Sequence, residues 1–261
     1  MNTILADILK RDRAIVVFGL AGLVVLSWAY LICMDWGMRH MDVGMDMLIM
    51  PAMQHWNAWD LFLVFLMWAI MMVAMMVPTA GPVILLFAEI NRRRRTQEKD
   101  TFIATAQFLF GYLTVWTGFS AVATLAQWGL LTATLVSPMM ESTNRMLGAG
   151  LLLIAGLFQF SRLKYACLAH CRSPIGFFAT EWRSDSWGAF KMGLKHGAHC
   201  LGCCWALMGL LFAFGVMNLL WVAGLSIFVL LEKITANRWV SRLSGFLFIS
   251  WAGWIVLSRG T

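Results

Sequence analysis

The chain has 261 residues, 61% hydrophobic and 13% charged, where a soluble domain averages roughly 45–50% and about 25%. That composition excludes a disordered chain, a nucleic-acid-binding domain (despite the net charge of +7) and a water-soluble globule. It describes one all-α membrane domain over 1–261, a polytopic bundle of about 6–7 spans whose first partner is the lipid bilayer.

A spanning helix needs about 20 mostly apolar residues. Seven segments qualify or come near: 14–33, 60–88, 102–127, 145–160, 197–217, 219–232 and 243–258. The first follows a short basic segment. Leu31-Ile32-Cys33-Met34 runs on without a small-residue cleavage motif, so it reads as a retained span. The second contains Pro78 and Pro82, which predict a kink or a break into two helices. The fourth and sixth are short for a bilayer.

Basic residues set the orientation. Lys10, Arg11 and Arg13 precede the first span, and Arg92, Arg93, Arg94, Arg95 and Lys99 follow the second. Arg162, Lys164, Arg172, Arg183, Lys191 and Lys195 follow the fourth; Lys233, Arg238 and Arg242 follow the sixth. With seven spans these 17 of 20 Lys and Arg share one side. That side, with the N-terminus, is expected in the cytoplasm, in a bacterial inner membrane. The Arg92–Arg95 run reads as a stop anchor at anionic lipid. The longest loops are then 34–59 outside and 161–196 inside.

Twelve of the 19 Met lie between positions 34 and 76. Met34, Met38, Met41, Met45, Met47, Met50 and Met53 fall in the expected outer loop, mixed with His40, His55, Asp35, Asp42 and Asp46. Met67, Met71 and Met75 recur every fourth residue, one face of a helix, with Met72 and Met76 beside them. Thioethers are neutral, soft donors that favour Cu(I) and persist in an oxidising compartment. The competing reading is that Met fills irregular packing gaps.

Five of the six Cys form two groups with three His. The first is Cys167, His170 and Cys171. The second is His196, His199, Cys200, Cys203 and Cys204. If helical, His196, Cys200 and Cys203 share a stripe, and Cys167 and Cys171 share a face. Two such edges would offer four or more N/S ligands, a set suited to copper, zinc or an iron–sulfur cluster. Disulfides, if the topology is inverted, and a thiol relay remain open as alternatives. Cys33 reads as a small apolar residue. Glu89 and Glu232 lie at span ends beside basic residues, which suggests snorkelling ion pairs, and Gln107, Gln127 and Gln159 suit interhelical hydrogen bonds. No nucleophile triad, P-loop or dinucleotide fingerprint is present.

The string Leu163-Lys164-x-x-Cys167-Leu168-x-x-Cys171-Arg172-Ser173-Pro174 resembles a bacterial family of predicted metal-binding integral membrane proteins. So do His199-Cys200-Leu-Gly202-Cys203-Cys204-Trp205-Ala206-Leu207-Met208, Gly215-Val216-Met217-Asn218, Glu232-Lys233 and Met71-Met72-x-Ala74-Met75-Met76-x-Pro78. The resemblance covers about 60–240 and implies a multi-span protein with a metal site at the Cys motifs. Met67-x-x-x-Met71 is also similar to the Met ladder of eukaryotic high-affinity copper transporters.

The expected function is copper handling: uptake, relay or delivery to a metalloenzyme. Met34, Met38, His40, Met41 and Met45 would collect the ion outside. Met67, Met71 and Met75 would relay it. Cys167, His170, Cys171, His196, His199, Cys200, Cys203 and Cys204 would receive it inside. Copper is the favoured metal, with zinc next and haem or iron–sulfur still open. The implied partners are a periplasmic metal donor or a cytoplasmic metal acceptor, and a second copy of the chain. Two other classes stay in view: a membrane oxidoreductase or assembly factor, and a non-catalytic accessory subunit.

Overall fold

The computed structural model describes residues 2–39, 56–94, 98–135, 144–183, 185, 187–235 and 237–258. All regular structure among them is helical: α1 (Asn2–Arg39), α2 (Ala58–Arg94), α3 (Glu98–Thr132), α4 (Arg145–Phe158) and α5 (Arg162–Arg172). Then come α6 (Pro174–Glu181), α7 (Gly188–Gly209), α8 (Leu211–Phe214), α9 (Leu219–Ile234) and α10 (Arg238–Leu257). Local chemistry fixes the starts. Asn144, Ser161, Asn218 and Asn237 each cap a helix by accepting a backbone N–H at 2.9–3.2 Å. At α2 the cap is reciprocal: Asn57 Oδ1 accepts from Trp59 N and Asp60 N, while Asp60 Oδ2 accepts from Asn57 N.

Five helices are long and apolar enough to cross a membrane, or six if α4 and α5, bent by 65°, form one broken span. The protein is therefore a polytopic helical membrane protein. Three expectations need correcting. The segment 219–232 becomes α9, whose 16 residues extend about 24 Å, short of ~30 Å of hydrocarbon. The inner loop expected over 161–196 is mostly helix: α5, α6 and the first two turns of α7. Met34 and Met38 belong to the end of α1, not to a loop. His40, Met41, Met45, Met47, Met50, Met53 and His55 lie outside the described residues, as does the side chain of Met38.

Pro78 and Pro82 do not split α2, which stays one helix. In that segment Met76 O accepts from Thr79 Oγ1 (2.8 Å) and from Tyr112 Oη (3.1 Å). These two bonds tie the proline-containing stretch of α2 to its own next turn and to α3.

α2 and α3 pack antiparallel, pairing Phe87 with Phe108 (4.8 Å) and Trp68 Nε1 with Gln127 Oε1 (2.6 Å). α3 and α7 lie side by side in the same direction, Phe108 against Gly193 and Tyr112 against Gly197. Their approach is close because glycine has no side chain: a Cβ on Gly193 would stand 2.0 Å from Phe108 O, and one on Gly111 2.2 Å from Phe190 O. α4 and α10 form a second antiparallel pair through Gly156 and Gly245. α1 flanks α2, and α5 lies on α7. Met67, Met71, Met72, Met75 and Met76 are all buried in the resulting core, while Phe18, Leu26, Phe110, Leu220 and Trp254 face outward.

Candidate metal site

The chemistry gathers where α5 and α7 cross. Glycine again sets the approach: a Cβ on Gly202 would stand 2.7 Å from Cys167 Sγ. Cys171 of α5 neighbours Cys203 of α7, and Cys200, Cys203 and Cys204 share one turn of α7, all within one buried core. The result is a chain of four buried thiols from two helices. All six cysteines are free thiols.

Three further helices close around them. Lys233 Nζ, at the end of α9, donates to Cys200 Sγ (3.0 Å) and to Thr79 Oγ1 of α2 (2.7 Å). Tyr112 of α3 places its Oη 3.1 Å from the same sulfur while donating to Met76 O. Cys200 is thus wedged between an ammonium and a phenol. Cys203 and Cys204 instead turn their S–H groups onto Cys200 O, at 3.1 and 2.9 Å. Among the described residues no three His, Cys, Asp or Glu side chains stand as a finished metal cage. Rotating Cys203 and Cys204 off that carbonyl frees their sulfurs.

The three histidines divide. His196 is buried against Phe108, Tyr112 and Phe177, and its Nδ1 has no hydrogen-bond partner among the described residues. His170 is exposed and His199 half-buried, and the two stack with ring centres 4.2 Å apart. Each bonds Nδ1 to the carbonyl four residues before it, His170 to Ala166 O and His199 to Lys195 O. The expected single cluster is therefore a buried thiol group, one buried imidazole and a separate surface pair. Met67, Met71 and Met75 share the core with the thiols, about one to three turns of α2 before Thr79. Met34 packs at the edge of that core, and Cys33 is exposed.

A buried ion pair holds the frame. Lys164 Nζ of α5 meets Glu232 Oε2 of α9 at 2.8 Å, with 0% and 2% side-chain exposure. Ser241 Oγ of α10 donates to Glu232 Oε1 (2.7 Å), and Arg172 donates twice to Glu232 O (3.0 and 2.6 Å). Glu232 is therefore a clamp on three helices, not a snorkelling surface group. Glu89 does pair at the surface, with Arg92 and Arg93. In the α6–α7 connection a hydrogen bond from Lys195 holds the Glu181 carboxyl below its ordinary range, and Lys191 does the same for Asp185.

A family model described as a copper chaperone (PpoB2) matches residues 65–255. The chain belongs to this copper-chaperone family. No curated protein and no solved structure matches it. The matched span contains all four buried thiols, Tyr112, Lys233 and the Lys164–Glu232 clamp, and it excludes Met34, Met38 and the whole Met-rich segment before α2. The donor set suits the family's metal. Thiols are the soft ligands that select Cu(I), and a core of Met and aromatic side chains keeps water away.

Lys233, Tyr112 and Thr79 are absent from the sequence-level site. Lys233 carried a signal, a lysine beside a glutamate at a span end, but that pattern reads equally as a surface pair. Tyr112 sits in an apolar helix with no motif around it.

Proposed function

We propose that this protein is a copper chaperone of the bacterial cytoplasmic membrane, holding Cu(I) on Cys171, Cys200, Cys203 and Cys204 for delivery to a metalloenzyme. The observation that carries the reading is the convergence of four buried thiols from α5 and α7 within the span of the copper-chaperone family. Zinc would find sulfur ligands here too. Lys233 favours the smaller charge: its ammonium lies 3.0 Å from Cys200 Sγ, so a divalent ion meets twice the repulsion of a monovalent one.

The test is a Cu(I) competition titration of purified protein against a colorimetric chelator, with metal analysis alongside. Wild type should bind copper. Cys200→Ser/Cys203→Ser should lose at least about 100-fold in affinity, beyond the roughly 10–100-fold cost of disturbing an outer-shell partner. Equal copper content in both proteins would defeat the assignment. A haem or iron–sulfur absorption band would favour an oxidoreductase.

Lys233 gives an independent check on the metal. Lys233→Met should raise Zn(II) affinity relative to Cu(I) by on the order of tenfold or more, because one positive charge leaves a poorly screened site. Paired titrations with the two ions measure this ratio; an unchanged ratio would show that Lys233 does not set selectivity.

A further inference from the structure

A cavity of about 390 Å³ opens where α2, α3 and the start of α7 meet. That volume suits a small molecule. Arg94 and Arg183 line it, and Arg94 stacks on Trp182 with its guanidinium 4.6 Å from the ring centre. Among the described side chains the nearby carboxylates are committed elsewhere: Glu89 to Arg92 and Arg93, Glu181 to Lys195, Asp185 to Lys191. The lining thus repels a bare cation and attracts an anion. It also includes a soft donor, the buried Met192.

Met192, His196 and Cys200 recur every fourth residue of α7, each step about 6 Å along the axis. His196 is only 3% exposed, and its Nδ1 lacks a partner among the described residues. A buried nitrogen without a hydrogen-bond partner is destabilising, and packing alone does not explain it. Its place, one turn from the cavity and one turn from the thiols, supplies a use.

We propose that this cavity is the port at which the protein exchanges copper with a small anionic thiolate carrier, along the stripe Met192–His196–Cys200. The proposal rests on the Cu(I) reading above. The step is ligand exchange with no change of oxidation state. A carrier Cu–S bond breaks as a bond to Met192 Sδ forms; bonds to His196 Nδ1 and then Cys200 Sγ replace it in turn. The proton displaced from the Cys200 thiol leaves on the freed carrier thiolate.

The test follows loading of the full chain in detergent by rapid mixing with two donors: the anionic Cu(I)–glutathione complex and the cationic Cu(I)–acetonitrile complex. Arg94→Glu/Arg183→Glu should slow loading from the glutathione complex by about tenfold or more and quicken loading from the acetonitrile complex, since charge at a binding mouth alters on-rates by roughly 10–1000-fold. Wild type supplies a second measurement that needs no variant: added salt should slow the anionic donor and speed the cationic one. Equal effects on both donors, or the same salt response for both, would overturn the port. Wild type that takes copper from neither donor would instead overturn the chaperone reading, and the port with it.

Discussion

Glu232→Ala should be the most damaging single change outside the thiols, costing about 3–5 kcal/mol. The loss comes less from the missing attraction than from what remains: a Lys164 ammonium at 0% exposure, with no water to solvate it. Ser241 would lose its acceptor at the same time. Thermal unfolding in detergent should show an apparent Tm lower by roughly 10 °C, taking about 2–4 °C per kcal/mol for a chain of this size. Lys164→Met should be similarly harmful, because it strands the carboxylate. The double variant Lys164→Met/Glu232→Met should recover most of the loss, since replacing both members of a buried pair by apolar groups is often near neutral. A double variant as unstable as either single one would show that the pair is more than a mutual neutraliser.

The second large effect is expected at Gly193. Its missing Cβ is the space that Phe108 O occupies, and all three of its nearest neighbours are backbone atoms of Phe108. Gly193→Ala cannot be absorbed by a rotamer change, so α7 must move off α3. Overpacking of this kind costs about 1–3 kcal/mol and sometimes more. The move would also lengthen the 3.1 Å contact between Tyr112 and Cys200, so copper affinity should fall together with Tm. Gly118→Ala supplies the control on the neighbouring helix. Nothing lies within 4 Å of its would-be Cβ, and alanine there should stabilise by roughly 0.5–1 kcal/mol. The two variants should shift Tm in opposite directions, and only Gly193→Ala should lose Cu(I) affinity; parallel behaviour would remove the packing explanation.

Apolar runs of about 20 residues made the long helices legible, because hydrocarbon leaves a spanning backbone little choice but helix. The stretch 161–196 was harder, since its polarity matches a loop. Its helices are instead organised by tertiary partners: Lys164 by Glu232, and Cys171 by Cys203. Periodicity placed His196, Cys200 and Cys203 on one helix, and α7 has that form. Spacing alone could not separate His170 and His199 from the buried thiols, because exposure depends on which neighbouring helix covers a given face. Lys233 and Tyr112 reach Cys200 across 33 and 88 residues of sequence, beyond the range of any local motif.

The clamp also imposes an order on biogenesis. Lys164 emerges from the ribosome 68 residues before Glu232, and Cys200 emerges 33 residues before Lys233. Until α9 is made, α5 carries a lysine that cannot be buried without a counter-charge. It must wait at the membrane surface with Cys171, apart from Cys203. Only when α9 arrives does the ion pair draw α5 into place and bring the fourth sulfur to the other three. The four-thiol group and the Lys233 contact to Cys200 are therefore completed only after α9 has been made.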